Sequence, residues 1–136
     1  MASTILLGLS MGLVSGCQLS PGAQAEHVAR SDLVGDWHAG TPCDSSLRLE
    51  VDGSARVSRW VTAVNDEGDI AQRANPTGTW SLETFQGDQY LEIKLDRAFE
   101  SLDLRRRDGR LMLLQIPGAD PDNSVGCLFG RVHETS

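Results

Sequence analysis

Residues 46–63 read SLRLEVDGSARVSRWVTA, two runs of alternating side chains joined by Asp52 and Gly53. Within the first run the apolar residues fall on one face, because side chains along a β-strand alternate with a period of two. An Asp-Gly pair between two such runs is typical of a tight hairpin, since glycine adopts the positive φ that the turn needs. This stretch predicts an antiparallel pair of strands, Ser46–Val51 and Ser54–Ala63.

The same alternation recurs along the rest of the chain, where no long segment keeps a helical period. A second Asp-Gly pair, Asp108–Gly109, predicts another hairpin, and the polar stretch Val64–Pro76 is expected to be an exposed loop, with or without a short helical turn. The further predicted strands are Leu33–Ala39, Gly78–Thr84, Tyr90–Asp96, Ser101–Arg107, Arg110–Ile116 and Gly126–His133. Eight short strands joined mostly by hairpins predict an all-β sandwich or an up-and-down barrel.

Two cysteines favour the barrel. Cys43 directly follows the first predicted strand and Cys127 lies in the last one. Closure places the first and last strands side by side and removes the exposed sheet edges that invite aggregation. We therefore predict a small eight-stranded antiparallel up-and-down barrel over residues 32–136, with a core that includes Trp37, Leu47, Leu49, Trp80, Leu91 and Ile93.

The amino terminus has features expected of an export signal. Thr4–Val14 is an apolar run of eleven residues, too short for the roughly 20 residues that a spanning helix needs. It ends in Val14-Ser15-Gly16-Cys17, which resembles the lipobox of bacterial lipoproteins. The resemblance implies a signal peptide over residues 1–16, lipid on Cys17 and therefore a membrane as a partner. Gln18, in place of Asp, after the cysteine implies an outer-membrane anchor that faces the periplasm.

Residues 17–31 are small and polar, which predicts a flexible tether between the lipid and the barrel. With Cys17 lipidated, Cys43 and Cys127 are the remaining pair, and an exported protein lives where disulfides persist. We expect them to be bonded, which would stabilise the fold by about 4 kcal/mol through loop closure. The alternatives are two free thiols or a metal site, although the chain has no C-x-x-C motif.

Charge and motifs restrict the function. The chain of 136 residues has a formal net charge of −7, which argues against a nucleic-acid partner and is compatible with a cationic protein. No G-x-S-x-G elbow or other placed nucleophile occurs, so we predict no enzyme and assign no catalytic residue. The histidines His27, His38 and His133 lack the spacing of metal ligands, and neither a metal nor a cofactor is expected.

Two family resemblances fall on the first predicted strand. The sequence LVGDW, residues 33–37, resembles the Gly-x-Trp opening of lipocalin-like barrels, and a second Gly-x-Trp occurs at residues 78–80. The segment GDWHAGTPCDSSLRLEVDG, residues 35–53, is similar to the periplasmic metalloprotease inhibitors of Gram-negative bacteria. That likeness implies inhibition of a protease by an inserted mature amino terminus. In that family the second cysteine lies much nearer the first, whereas here the expected partner of Cys43 is Cys127. Lipid on Cys17 would also occupy the mature amino terminus that the family inserts into the protease.

Arg106 is the one candidate for contact with a ligand. It continues the inner face of Leu102 and Leu104 near the barrel rim, where it either receives an anion or reaches solvent at the strand end. The sequence thus predicts a lipid-anchored, non-enzymatic binding domain that inhibits or sequesters a protein. A lipocalin-like carrier of a small apolar or anionic ligand is the alternative, since eight strands can enclose one. A structural envelope lipoprotein is the third possibility.

Overall fold

The chain folds into β-strands and one short 3₁₀ helix, Arg30–Asp32, in a computed structural model that describes residues 22–96, 98–117 and 126–132. The strands are β1 (Ala23–Gln24), β2 (Gly35–Ala39), β3 (Ser45–Leu49), β4 (Ser54–Ser58), β5 (Trp60–Val64), β6 (Ile70–Ala74), β7 (Thr77–Phe85), β8 (Asp88–Leu95), β9 (Ala98–Arg107), β10 (Arg110–Gln115) and β11 (Cys127–Arg131). Within the described residues no helix is long and apolar enough to cross a membrane.

Eight of these strands close into an antiparallel barrel. The order β2-β3-β4-β7-β8-β9-β10-β11 follows the chain, and β11 pairs back onto β2. The Asp-Gly pairs at residues 52–53 and 108–109 lie in the turns β3–β4 and β9–β10. The prediction of a small all-β, eight-stranded up-and-down barrel is therefore confirmed.

The barrel has two ends that are covered by different segments. At the end that we call the entry end, the turns β3–β4, β7–β8 and β9–β10 meet residues 22–34, where the chain joins the barrel. The opposite end, which we call the hairpin end, meets the β5–β6 hairpin and the Cys43–Cys127 disulfide. Each end is thus associated with a segment outside the eight-strand meander.

The predicted third strand, Ser54–Ala63, is divided in two. Arg59 has a positive φ of 55°, so β4 ends before it and β5 begins after it in a new direction. The backbone N–H of Arg59 donates to Oδ1 of Asn75 at 2.8 Å, and its carbonyl accepts from the Ser45 hydroxyl at 2.8 Å. These contacts hold a conformation that non-glycine residues seldom adopt. The expected loop Val64–Pro76 is correspondingly wrong, because it contains β6, which pairs with β5.

Part of the predicted tether is also folded. Residues 22–31 lie against the barrel, with β1 paired to β9 and with Ala25 and Val28 buried. The register of β8 with β9 stops at Tyr90–Asp103, and β1 takes the next positions along β9. The flexible-tether prediction is therefore wrong for residues 22–31, and residues 17–21 lie outside the described residues.

The inward faces of the strands build one continuous core. The side chains that are almost fully buried include the predicted Trp37, Leu47, Leu49, Trp80, Leu91 and Ile93, together with Leu33, Trp60, Leu102, Leu104, Leu113, Gln115 and Phe129. Gly78, the first residue of the second Gly-x-Trp, shows how tightly the wall is packed. A Cβ there would lie 1.8 Å from the carbonyl oxygen of Lys94 on β8.

The disulfide closes the barrel at its seam. Cys43 and Cys127 are bonded, with an S–S distance of 2.08 Å and Cα atoms 5.7 Å apart. Cys43 lies between β2 and β3, and Cys127 begins β11, the strand that pairs with β2. The bond therefore links the two ends of the meander.

Candidate functional site

The interior of the barrel is occupied by side chains that include three tryptophans. Each of the three tryptophans donates its indole N–H: Trp37 to the carbonyl of Leu33 at 2.9 Å, and Trp80 to the carbonyl of Glu50 at 2.9 Å. Trp60 donates to a carboxylate oxygen of Glu100 at 2.6 Å. Because buried Trp rings fill large volumes and their N–H groups are satisfied, these residues act as packing.

A small polar cluster lies inside the hairpin end. Gln115 donates its Nε2 to the carbonyl of Val61 at 3.0 Å and to Glu100 at 3.1 Å, which fastens β5 to the barrel wall. Burial raises the pKa of Glu100, and its hydrogen bonds with Trp60 and Gln115 oppose that rise. The cluster links the hairpin to the barrel, because Trp60 and Val61 of β5 are hydrogen-bonded to Glu100 of β9 and Gln115 of β10.

The β5–β6 hairpin covers the hairpin end of the barrel through contacts inside the barrel and on its outer surface. Trp60 and Val61 are completely buried, and the Trp60 ring stacks on Phe129 with centroids 5.5 Å apart. Outside, Arg73 donates to the carbonyls of Arg59, at 2.7 Å, and Pro42, at 3.0 Å. The hairpin is thus fixed on both sides of the barrel opening.

The entry end is closed by the amino-terminal segment. Leu33 is fully buried beneath Trp37, and Gln89 holds Val28 by two hydrogen bonds to its backbone, of 2.7 and 2.9 Å. The Arg30 guanidinium lies over the Trp80 ring at 4.4 Å and donates to a carbonyl of the β3–β4 turn. The described segments therefore cover both ends of the barrel.

The most distinctive outer feature is a cluster of arginines at the β9–β10 turn. We call Arg105, Arg106, Arg107 and Arg110 the arginine rim. Arg105 pairs with Asp103 at 3.1 Å, whereas Arg106 and Arg110 are exposed, and no carboxylate of the described residues lies within 4.0 Å of either guanidinium. Asp108 in the turn reduces the positive charge of the rim but leaves an excess.

A notch of about 620 Å³ opens beside this rim. It lies where the register of β10 with β11 stops at Leu113–Phe129, so that the two strands part toward the entry end. Its lining combines cationic and apolar side chains: Arg107, Arg110, Leu111, Met112 and Arg131, with Asp108 and Gly130. Such a lining suits an anionic group attached to an apolar body.

Arg131 forms the inner wall of the notch and is held in place. Its guanidinium lies 4.4 Å from the centre of the Trp37 ring and donates to the carbonyls of Val34, at 2.8 Å, and Asp32. Gly35 makes room for it, because a Cβ there would lie 2.6 Å from the Arg131 Nη1. This arginine therefore supports the notch.

The predicted site residues are placed as follows. Arg106 lies at the rim on the same face as Leu102 and Leu104, opposite Leu111 on one side and Ala23 on the other. Sequence reasoning selected Arg106, which lies beside the notch but does not line it. The notch was missed because it is formed partly by β11, which is distant in the chain. Cys17, the signal peptide over residues 1–16 and His133 lie outside the described residues.

The histidines and carboxylates form no metal site where the structure is described. His38 contacts Ser46 at 3.2 Å and Asp44 at 3.5 Å on the barrel surface, and His27 lies in the amino-terminal segment. The described ranges contain no group of three or more His, Cys, Asp or Glu residues arranged to hold a metal ion.

Comparisons of the chain with protein-family models, with curated proteins and with solved structures found no match.

Proposed function

We propose that the protein is a lipid-anchored bacterial envelope protein whose barrel is a non-enzymatic binding module that recognises an anionic partner at the arginine rim. The observation that carries this proposal is the filled interior. Trp37, Trp60 and Phe129 occupy the space in which a carrier barrel would hold its ligand. Recognition is accordingly assigned to the outer surface, where the rim and its notch combine charge with shape.

The chemistry of the rim supports an anionic partner. A guanidinium offers several donors in a planar fork that matches carboxylate and phosphate groups, and charge-assisted hydrogen bonds are about twice as strong as neutral ones. Leu111 and Met112 supply apolar contact next to Arg110. Because the chain as a whole carries a charge of −7, a long polyanion that lies along the sides of the barrel, such as nucleic acid, would be repelled there, which favours negative groups that meet the barrel only at the rim.

The anchor is proposed from the lipobox-like sequence that ends at Cys17, together with an outer-membrane address facing the periplasm. Cys17→Ser removes the only thiol to which the lipid could be attached in that sequence. We expect the variant to leave the membrane fraction, while the wild type stays in it. A wild type that is already soluble would refute the anchor.

Protease inhibition through an inserted amino terminus is less well supported. Residues 22–34 are committed to the entry end, where Val28 and Leu33 are buried and β1 is paired. An inhibitor of the type that the resemblance implies would need its terminus free to enter a cleft. The proposal therefore places partner recognition at the rim and leaves the terminus to closure and anchoring.

The rim can be tested with a soluble anionic probe. Titration with a glutamate-rich peptide should show binding at low salt that weakens about tenfold or more in Arg106→Gln/Arg110→Gln, since each charge-assisted hydrogen bond contributes about 1.5–3 kcal/mol before solvent screening. Arg56→Gln is the matched control, because Arg56 is exposed on β4, across the barrel. Equal weakening by the control, or binding that is indifferent to both variants, would refute the proposed site.

A further inference from the structure

The chain enters the barrel at the arginine rim. The register places Ala23 opposite Arg106 and Gln24 opposite Arg105. Gly22, with a φ of 95°, lies so close to β9 that a Cβ would be 2.3 Å from the carbonyl oxygen of Arg106. Whatever precedes Gly22 therefore leaves the fold beside these arginines.

This entry point shortens the reach of the proposed anchor. A tether running from Cys17 to residue 31 could extend about 50 Å, at about 3.5 Å for each residue. With Gly22 fixed on β9, the span from Cys17 to the fold is at most about 18 Å. A lipid on Cys17 would thus hold the rim close to the bilayer surface. Electrostatic attraction acts over about 8 Å at physiological ionic strength, and the short span allows the rim to approach the headgroups to within that distance.

We infer that the anionic partner of the arginine rim is the bilayer itself, through the phosphate groups of acidic lipids in the membrane that carries the anchor. This inference rests on the proposed function and names the ligand class of the same site. A lipid phosphate joins an anionic group to an apolar body, which is the combination that the notch beside Arg110 offers. The short span adds a high local concentration of that ligand.

An exposed aromatic residue on the other side of β1 fits the same orientation. Phe85 ends β7 at the entry end and is 65% exposed. It lines a surface depression together with Gln24 of β1, so the arginines and the aromatic ring flank the point of chain entry. Asp88 and Asp103 also line this depression, so on this side of the entry point the contact is assigned to the aromatic ring and the attraction to the arginines. Aromatic side chains favour the membrane interface, where one part of the ring is wet and the other apolar. The hairpin end then faces away from the bilayer.

The test uses the full chain carrying Cys17→Ser, so that the lipid does not dominate, and measures its partition onto vesicles. The vesicles contain either phosphatidylcholine alone or phosphatidylcholine with phosphatidylglycerol. We expect stronger partition onto the acidic vesicles, reversed by high salt, and about a fivefold loss for each of Arg106→Gln and Arg110→Gln. Arg56→Gln is the control and should leave partition unchanged. The apolar residues 4–14 also contribute to partition, but they are the same in every variant, so their contribution cancels when partition is compared between variants and between vesicle types.

The outcomes separate this inference from the proposed function. Equal partition onto both vesicle types, or a loss in the control as large as in the rim variants, overturns the lipid assignment. If the glutamate-rich peptide binds at the rim while acidic vesicles do not, the lipid assignment fails and the proposed function stands. If neither peptide binding nor partition onto acidic vesicles is weakened by Arg106→Gln and Arg110→Gln, both the lipid assignment and the proposed function fail.

Discussion

Replacement of Trp60 by alanine tests whether the interior is closed and filled as described. The Trp60 side chain is fully buried, stacks on Phe129 with centroids 5.5 Å apart, and donates to Glu100 at 2.6 Å. Truncation of a buried aromatic residue costs about 3–5 kcal/mol, because transfer energy is lost and a cavity remains. The loss should fall at the upper part of this range, since Glu100 would also lose its donor in a partly buried position.

A second variant separates packing from hydrogen bonding. Trp60→Phe keeps an aromatic ring against Phe129 but removes the N–H that Glu100 accepts. A hydrogen bond to a charged group contributes about 1.5–3 kcal/mol, so we expect this variant to lie between the wild type and Trp60→Ala. Phe99→Ala is the control, because Phe99 is 64% exposed on β9.

Urea denaturation followed by far-ultraviolet circular dichroism measures the free energies of unfolding of the wild type and the three variants. Two-state transitions with unchanged m-values would show that the variants alter stability alone. The control should change stability by less than about 0.5 kcal/mol. A cost below about 1 kcal/mol for Trp60→Ala would mean that the ring is not enclosed, and the filled interior would have to be abandoned.

Three further predictions concern the seam, the polar cluster and the amino-terminal segment. Serine at both Cys43 and Cys127 should lower the free energy of unfolding by about 4 kcal/mol, because the bond closes a long loop; an unchanged urea midpoint would contradict this. Burial raises the pKa of Glu100, so the protonated carboxyl adds to the free energy of unfolding below the ordinary Glu pKa, and this contribution is lost as pH rises through the raised pKa. An NMR titration in which the Glu100 carboxyl has the ordinary Glu midpoint would contradict this prediction. Gln89→Ala should speed amide exchange around Val28 about tenfold and spare the barrel strands.

The barrel was predictable from sequence because its strands alternate between an apolar inner face and a polar outer face. Leu47 and Leu49 face the core and flank the exposed Arg48, while Leu91 and Ile93 face the core and flank the half-buried Glu92. The Asp-Gly turns fix the hairpin positions, since they require a positive φ. Closure followed from the positions of the two cysteines.

The β5–β6 hairpin was missed for a local reason. The break between β4 and β5 occurs at Arg59, and nothing in the residue type signals a positive φ there. Its conformation depends on Ser45 and Asn75, which are distant in the chain and contact it only in the folded state. No residue of β6 is fully buried, and its composition resembles that of a loop.

The amino-terminal segment was taken for tether because its composition is small and polar. Only Ala25, Val28 and Leu33 are buried in it, too few to produce a periodic pattern. Its attachment depends on backbone pairing with β9 and on Gln89, neither of which has a local sequence signal. The arginine rim could be seen in the sequence as a run of basic residues, but its notch required the parting of β10 from β11.

The barrel is expected to recognise an anionic partner on its outer surface while its interior stays filled. NMR chemical-shift mapping during titration with the glutamate-rich peptide tests this most directly. We predict shifts in the amides of residues 105–112 and of Ala23 and Gln24, with those of Leu47 and Ile93 unchanged. Shifts concentrated at these interior positions, with the rim unaffected, would contradict the account and indicate a ligand inside the barrel.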